Sequence, residues 1–411
     1  MAQNSQEPLP GGGQRRLSGW RMLYATPSTA RMTEARTATY SGNIRYYLAT
    51  ESRKTFAIQP GWLCLRARLE NESPPLNNRP PMARVLCSGS FMCDFIVPDL
   101  PRIGEPGDLV YAPKGIHLHP GGHAANVAIS LAQLGRRDTA VAGSIGNDIL
   151  GDFMEDELRK NGLEVHPERL DQPTSKNIAL VVKGEDRRFY AQLAANTMLT
   201  PGHVLRVLEE TRPEILYQGT VGGLRLVDGE LDTILGRARD MGCLTLVDVI
   251  RPHEEGWRRL HESLPLIDIL HCNGYEGEAL TGETDPATSA RSLIQEGVRL
   301  CLITLGSEGL VAAWGDTGLR MPAFEVDEVD QTGAGDAFCA GLIDALLSEG
   351  VNRSDLRGAS PGAMKPVLLR GSAAGAVCVT APGATTAVTR ENVEALIKEQ
   401  GEKVWAEIRP L

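Results

Sequence analysis

The sequence predicts an α/β fold built on a parallel, doubly wound sheet. Strand-like and helical segments alternate between residues 213 and 305, and the composition is 42% hydrophobic and only 5% aromatic. No apolar run approaches the roughly 18 residues that a membrane span requires. The strand-like segments are 214–218, 243–247, 267–271 and 300–304. The helical segments between them are about 228–240, 254–263 and 286–296.

Charge, cysteines and histidines narrow the possible functions. The net charge of −10 argues against nucleic acid as the main partner. The eight cysteines are scattered without a C-x-x-C pair, so we expect reduced core residues of a cytoplasmic protein rather than a disulfide framework. His117, His119 and His123 do not complete a zinc ligand set, although His123 is a candidate for a substrate contact.

Residues 1–81 differ in character from the rest of the chain. They are net basic, rich in Pro, Gly and Arg, and show little sustained periodicity, whereas residues 82–411 are acidic. A targeting or regulatory arm is one interpretation, because Arg and Ser are present and acidic residues are few. We favour a disordered or non-native extension, because no clear amphipathic helix is visible and the first good strand begins just after Met82.

The elements before residue 192 combine strands, two helices and an irregular segment. The predicted strands are 84–90, 139–143, 178–182 and 188–190, of which the last two pair as a hairpin. A helix is predicted over Ile149–Lys160, capped near Asn147 or Asp148. Residues 95–120 are rich in Pro and Gly with short β-like pieces such as 108–111. Arg187, beside the hairpin turn, is expected to be solvated.

A glycine pair precedes a second helix, which is predicted over 124–134 and closed by Gly135. Gly121 and Gly122 would let a substrate approach the backbone closely. Asn126, one turn into the helix, can offer both a donor and an acceptor to a hydroxylated substrate. This loop is therefore a candidate binding site.

The segment 329–338 carries the strongest functional signal. A helix is predicted from about Gly335, because the apolar residues that follow have helical spacing. A small-residue loop that runs into a helix directs free N–H groups and the positive end of the helix dipole at one spot, which suits a phosphate. Asp336 beside that spot could accept a proton from an attacking hydroxyl group. In the simpler interpretation, Asp336 is only the N-cap of the helix.

Four segments resemble the motifs of the ribokinase/PfkB-like carbohydrate kinase family. Residues 330–341 match its C-terminal signature, D-x-T-G-A-G-D-x-F-x-x-G, with Gln331 at a variable place. Residues 121–128 match G-G-x-x-x-N-x-A, residues 273–276 match N-x-x-E, and residues 304–309 match T-x-G-x-x-G. The resemblance covers about 82–400, and neither a Walker A sequence nor an H-R-D motif is present.

The resemblance implies a ribokinase-like three-layer α/β/α sandwich with a small β-sheet lid. The lid would come from about 95–120 and 177–192, within a kinase domain at 82–411. Such a lid has a physical purpose, because a kinase must keep water from taking the phosphoryl group. The lid is also a candidate surface for a homodimer. The implied activity is ATP-dependent phosphorylation of a hydroxyl group on a small sugar.

The resemblance also implies a role for each matched residue. Asp336 would be the general base, beside an anion hole formed by the backbone N–H groups of Gly333, Ala334 and Gly335. The residues expected to bind the acceptor are Asp94, Gly121, Gly122 and Asn126. The residues expected to contact ATP are Asn273, Thr304, Gly306 and Gly309.

Two cations are implied as well. Glu276 would hold Mg²⁺ through water, in keeping with the oxygen ligands and retained hydration that this ion prefers. Some family members bind a monovalent cation near the Asp of the C-terminal signature, which makes Asp330 a candidate ligand for K⁺. Potassium dependence stays open, because Ala387 stands where a Ser is often found.

The motifs leave the acceptor open. We favour a sugar, but a nucleoside kinase on the same fold would use the same sugar-binding residues. A catalytically inactive, ligand-binding homologue is a third possibility, and the intact Asp336 and Glu276 argue against it. Residues 248–252 resemble the D-x-N-x-R motif of some family members with Ile250 in place of Asn, and Arg251 would contact either a phosphate or a surface acid. We expect no nucleic-acid or membrane partner.

Overall fold

The computed structural model describes residues 83–185, 187–251 and 256–411, and the backbone of two short strands before them. These strands, β1 (Ala35–Thr39) and β2 (Arg45–Ala49), pair antiparallel. The chain divides into two units, Met1–Asn78 and Arg79–Leu411. The prediction that residues 1–81 form a disordered or non-native extension falls largely outside the described residues and stays a prediction.

The larger unit contains fourteen further strands among its described residues. In chain order they are β3 (Val85–Ser88), β4 (Met92–Leu100), β5 (His117–Gly121), β6 (Thr139–Gly146), β7 (Glu164–Leu170), β8 (Lys176–Val182), β9 (Arg188–Gln192), β10 (Ile215–Val221), β11 (Leu244–Val249), β12 (Ile269–Asn273), β13 (Leu300–Thr304), β14 (Leu310–Trp314), β15 (Thr317–Met321) and β16 (Arg409–Pro410).

The helices of the larger unit separate many of these strands. In chain order they are α1 (His123–Gln133), α2 (Ile149–Lys160), α3 (Pro201–Thr211), α4 (Arg225–Gly229), α5 (Leu231–Asp240), α6 (Gly256–Ser263), α7 (Gly274–Thr281), α8 (Pro286–Gln295), α9 (Ala334–Glu349), α10 (Pro361–Cys378) and α11 (Arg390–Ala406). The predicted helix over Ile149–Lys160 is confirmed, and Asp148 is its N-cap, accepting a hydrogen bond from the Gly151 N–H.

The main sheet runs in the order β7-β6-β3-β10-β11-β12-β13-β14-β15-β16 within the described part of the chain. The strands from β7 to β13 pair parallel, as predicted. The last three strands pair antiparallel, which the βα alternation did not predict. A tight turn at Gly315, whose positive φ of 50° suits a glycine, joins β14 directly to β15, because antiparallel strands need no helical crossover.

Helices cover both faces of this sheet and give three layers. One apolar core contains residues of α1, α2, α9, α10 and α11, and includes the buried Phe91, Tyr217 and Trp314. The core on the opposite face contains residues of α3 to α8. The three-layer prediction is confirmed. The seven cysteines in the described part of the chain are free and buried, as expected for core residues.

A second, smaller sheet has the order β5-β4-β8-β9 and corresponds to the predicted lid. The predicted hairpin at 178–190 is confirmed as β8 and β9, which pair antiparallel. Residues 108–111, predicted as a β-like piece, form no strand. Asp94 lies inside β4. The chain leaves β3 at Gly89 and immediately enters the small sheet, so Asp94 is a residue of the lid.

None of the helices among the described residues combines the length and the apolar character that crossing a bilayer requires.

Candidate active site

The predicted site residues converge at the carboxyl ends of the parallel strands. Asp248 belongs to β11, Asn273 ends β12 and Thr304 ends β13. Helices α1, α7 and α9 begin at the same edge, so their N-terminal N–H groups and positive dipole ends face it. In open α/β sheets this edge is where ligands bind.

The start of α9 is shaped by small residues. Gly333 is its N-cap, with a φ of 80° that favours glycine, and a Cβ there would lie 2.4 Å from the Cβ of Ala384. No side chain caps this helix. The interpretation of Asp336 as the N-cap is therefore wrong, because Asp336 lies in the first turn and its carboxylate turns towards α1 instead. The N-terminal N–H groups of the helix receive no side-chain cap, as an anion hole requires.

Asp336 is the buried carboxylate at the centre of the site, with 6% of its surface exposed. Its Oδ2 accepts a hydrogen bond of 2.8 Å from Asn126 Nδ2, and its Oδ1 has no hydrogen-bond partner among the described residues. His123 Nδ1 lies 3.5 Å from that Oδ1. Burial raises the pKa of Asp336, and the positive charge of His123 opposes this rise. Asn126, which was predicted only as a substrate contact, therefore also contacts the candidate base directly.

Asp248 holds three side chains in a network that the sequence did not reveal. Its Oδ1 lies 2.8 Å from His271 Nδ1, and its Oδ2 accepts a 2.8 Å hydrogen bond from Tyr217 Oη and lies 3.3 Å from His123 Nδ1. Burial favours the neutral form of Asp248, but His271 and His123 hold its pKa well below the usual range. His271 in turn stacks on Phe338 of α9, with ring centroids 5.0 Å apart.

Asp94 and the glycine pair, which were predicted to bind the acceptor, lie directly against one another. A Cβ on Gly121 would lie 2.0 Å from Asp94 Oδ2, and Gly122 has a φ of 91° with Ser90 O only 2.5 Å from an added Cβ. Both glycines are therefore required by close backbone and side-chain approach. Burial raises the pKa of Asp94 to about 6, the hydrogen bond with Asn177 opposes the rise, and Asp336 adds to it.

The N-x-x-E motif has a structural role in addition to the expected one. Asn273 is the N-cap of α7: its side chain accepts a 2.9 Å hydrogen bond from the Glu276 N–H, and Glu276 Oε2 accepts one of 2.8 Å from the Asn273 N–H. This capping box fixes Glu276 at the strand edge. Burial raises the pKa of Glu276, although the Asn273 N–H opposes the rise. The guanidinium of Arg251 lies over the ring of Tyr275, 5.1 Å from its centroid, and its contact with a phosphate or a surface acid stays a prediction.

The T-x-G-x-x-G segment begins at the end of β13 and therefore lies at the same edge of the main sheet. Thr304 Oγ1 lies 3.3 Å from His271 Nε2, which links the expected nucleotide contact to the Asp248 network. Gly306 and Gly309 have positive φ angles of 57° and 91°. A Cβ on Gly309 would lie 2.0 Å from Met321 O, so glycine is required there by the fold, whatever Gly309 contributes to a ligand.

The expectation that Arg187 is solvated is wrong. Its Nη1 donates to Asp330 Oδ1 and to Thr332 Oγ1, and only 24% of its side chain is exposed. Asp330 also accepts hydrogen bonds of 3.0 Å from the N–H groups of Thr332 and Gly383. A guanidinium from the lid thus occupies one oxygen of the candidate K⁺ ligand. The contact spans 143 residues of sequence, so no local pattern could reveal it.

Comparisons with known proteins agree with this architecture. The family model described as pfkB family carbohydrate kinase matches residues 82–391. Probable fructokinase-2 of Arabidopsis thaliana is 28% identical over 323 residues, which cover 74% of this chain and 92% of that protein.

Two solved structures show the same fold. A fructokinase from Xylella fastidiosa with bound ATP superimposes with a TM-score of 0.65 at 24% identity, covering 77% of this chain and 99% of its own. The ribokinase of Arabidopsis thaliana complexed with ribose and ATP superimposes with a TM-score of 0.62 at 22% identity, with the same coverage. Together with the match over residues 82–391, these findings show that the chain belongs to the pfkB family of carbohydrate kinases.

Proposed function

We propose that this enzyme transfers the γ-phosphoryl group of ATP to a hydroxyl group of a small sugar, with Asp336 as the general base. The observation that carries the proposal is the state of Asp336: a buried carboxylate in the first turn of α9, with one oxygen held by Asn126 and the other without a hydrogen-bond partner among the described residues. A buried acceptor atom without a donor costs free energy, and a substrate hydroxyl group would satisfy it.

The neighbouring groups supply the rest of the reaction. Asp94 and Asn126, beside Gly121 and Gly122, hold the acceptor so that one hydroxyl group points at Asp336. As this oxygen attacks phosphorus, its proton passes to the Asp336 carboxylate. The backbone N–H groups of Gly333, Ala334 and Gly335 stabilise the negative charge of the transferring phosphoryl group, and of these the Ala334 N–H also donates a 3.3 Å hydrogen bond to Gln331 O. The lid strands exclude water from the reacting atoms.

The residues proposed to bind the nucleotide lie at the ends of β12 and β13 and in the loop after β13. We propose that Asn273, Thr304, Gly306 and Gly309 contact ATP at the strand edge. The donor set near Glu276 fits Mg²⁺, because it offers a half-buried carboxylate oxygen at this edge. Glu276 would hold the ion, through water, and Mg²⁺ supplies positive charge against the oxygens of ATP.

The experiment that tests this function is a panel of phosphorylation assays with ATP and Mg²⁺ on hexoses, pentoses, sugar phosphates and nucleosides. A free sugar is expected to give the highest kcat/KM, and the 28% identity to a probable fructokinase places fructose in the panel. Turnover of a nucleoside well above every sugar would replace the sugar with a nucleoside in the proposal. A lack of turnover with every acceptor would refute it.

The same panel tests the domain organisation. We propose that the catalytic domain is 82–411 and that residues 1–81 lie outside it. A chain that begins at Met82 is expected to fold and to match the full-length kcat/KM on the best acceptor, because both apolar cores of the sheet consist of residues after 82. An insoluble or inactive shorter chain would show that the N-terminal segment belongs to the domain.

Glu276→Gln is expected to raise the Mg²⁺ concentration for half-maximal rate by about tenfold, on the scale of one lost charged contact. The neutral amide can still accept from the Asn273 N–H, so α7 should keep its cap. The matched control is Glu278→Gln, an exposed position on the same helix. The measurement is a Mg²⁺ titration at fixed ATP, and coincident curves for wild type and Glu276→Gln would remove Glu276 from the metal site.

Three further features complete the proposal. Asp330 is the candidate K⁺ ligand, and the Arg187 guanidinium would compete with K⁺ for its carboxylate. A comparison of the reaction rates in Na⁺ and K⁺ buffers decides between the two.

A homodimer through the small sheet is supported by exposed apolar residues of the lid, Ile178, Phe189 and Tyr190. Light scattering of the purified protein tests this homodimer. A cytoplasmic location is supported by the free, buried cysteines, and imaging of a C-terminally tagged chain tests it.

A further inference from the structure

His123 occupies an unusual position between two buried carboxylates. It is the first residue of α1, and its backbone N–H donates a 3.1 Å hydrogen bond to Ser90 Oγ. Its Nδ1 lies 3.3 Å from Asp248 Oδ2 and 3.5 Å from Asp336 Oδ1. One imidazole nitrogen therefore lies within 3.5 Å of carboxylates on two different elements, β11 and α9.

The two carboxylates differ in the other side chains that hold them. Asp248 is held by His271 and by the Tyr217 hydroxyl, each at 2.8 Å, so it keeps ligands without His123. Asp336 has a single hydrogen bond, from the neutral Asn126 amide. Two neighbouring buried carboxylates repel one another, and a buried charge without a counter-charge is costly. His123 is the nearest cationic side chain to Asp336 among the described residues.

The charged groups around His123 favour its protonated form. Burial lowers the pKa of His123, but Asp336 on α9, Asp248 on β11 and Glu276 on α7 raise it to about 9. His271 on β12, which faces the same network, also has a raised pKa, because Asp248 outweighs its burial. His123 therefore carries a positive charge at neutral pH, next to the free oxygen of Asp336.

We propose that His123 is a positioning residue for the base: its imidazolium, held in place by Asp248, keeps the Asp336 carboxylate ionised and oriented in its buried position. The inference rests on the proposed role of Asp336. In the reaction the O–H bond of the acceptor breaks, its proton goes to Asp336, and its electron pair forms the new O–P bond. The bond from phosphorus to ADP breaks at the same time, and ADP leaves with that electron pair. His123 keeps its own proton throughout.

The sign of the expected pH effect follows from this arrangement. Asp336 must be ionised to accept a proton, so activity falls as pH drops through its pKa in the enzyme. The positive charge of His123 lowers that pKa. His123→Asn removes the charge, so the acid limb of the kcat/KM profile should move up by about 1–2 pH units. At pH values well above the shifted limb, the variant should recover most of the wild-type rate, which a general loss of structure would not allow.

A double substitution separates this role from others. Asp248→Asn loosens His123, but it also removes a negative charge that raises the pKa of Asp336, so its acid limb should move up less than that of His123→Asn. In the double variant His123→Asn/Asp248→Asn the acid limb should lie below that of His123→Asn alone, because the charge of Asp248 is gone and no imidazolium remains for it to hold. The matched control is His261→Asn, whose imidazole lies in α6 and pairs with Glu296. It should leave the profile unchanged. An unshifted acid limb in His123→Asn would overturn the proposal.

A second measurement needs no substrate. The measurement is a titration of the histidine Cε1–H signals by NMR in the full-length protein. The His123 signal is assigned as the one that is missing from the spectrum of His123→Asn. It should titrate near pH 9. In Asp336→Asn the same signal should titrate about 1–2 units lower, because the partner charge is gone. Titration of wild-type His123 at or below its unperturbed value of about 6.5 would overturn the pairing. If the acceptor panel shows no turnover, the proposed function fails, while this titration still decides whether His123 and Asp336 are coupled.

Discussion

Asp336→Asn is expected to lower kcat by about 10²–10⁴ while leaving the fold and ATP binding intact, the usual scale for the loss of a general base. The amide has nearly the same shape as the carboxylate, and its oxygen can still accept the hydrogen bond from Asn126 Nδ2. It cannot accept a proton from the acceptor hydroxyl group at neutral pH. The loss should therefore appear in kcat, with the KM for ATP within a few-fold of the wild-type value.

The measurement is steady-state kinetics with the best acceptor of the panel, together with thermal unfolding to show that the variant is folded. Asp232→Asn, at an exposed position of α5, is the matched control and should behave as wild type. Turnover by Asp336→Asn within a few-fold of wild type would show that another group, or water, takes the proton.

Asp94→Ala is expected to raise the KM for the acceptor by about 10–100-fold, the scale of one or two lost hydrogen bonds to a charged group. A carboxylate can accept from two neighbouring hydroxyl groups at once, and no described side chain on β4 or β5 other than Asp94 reaches as close to Gly121. Some loss of kcat should accompany the effect, because a loosely held hydroxyl group is misaligned for in-line attack. The KM for ATP should change little, since the proposed nucleotide contacts lie on β12 and β13.

The pH dependence of this KM gives a second check on Asp94. Burial raises the pKa of Asp94 to about 6, so the carboxylate is ionised above that pH and protonated below it. The acceptor KM of the wild type should therefore rise as pH falls through about 6, and Asp94→Ala should lack this rise. Asp232→Ala serves as the matched control. An unaltered acceptor KM in Asp94→Ala would remove Asp94 from the site.

Features encoded by neighbouring residues were predictable from the sequence. The α2 helix and its Asp148 cap depend on contacts three or four residues apart, and hydrophobic periodicity reports them directly. The loop from Asp330 to Asp336 is also local, because small residues with a left-handed Gly333 fix how the chain enters α9. For the same reason, the parallel part of the sheet followed from the alternation of strands and helices. Family membership rests on these local motifs and on their order along the chain.

Features made by distant residues were decided only by the tertiary structure. Asp248 lies 125 residues from His123 and 31 from Tyr217, and only the parallel order of β10, β11 and β12 beside α1 brings the three together. Arg187 reaches Asp330 because the small sheet folds over the edge of the large one, which no pattern near either residue indicates. Side-chain chemistry in a sequence shows what a residue can do, whereas the distance and burial that set its charge depend on how the strands are ordered. The sequence alone therefore determined the family and the glycine loops and indicated Asp336 as the proposed base, and the fold determined which histidine lies beside Asp336.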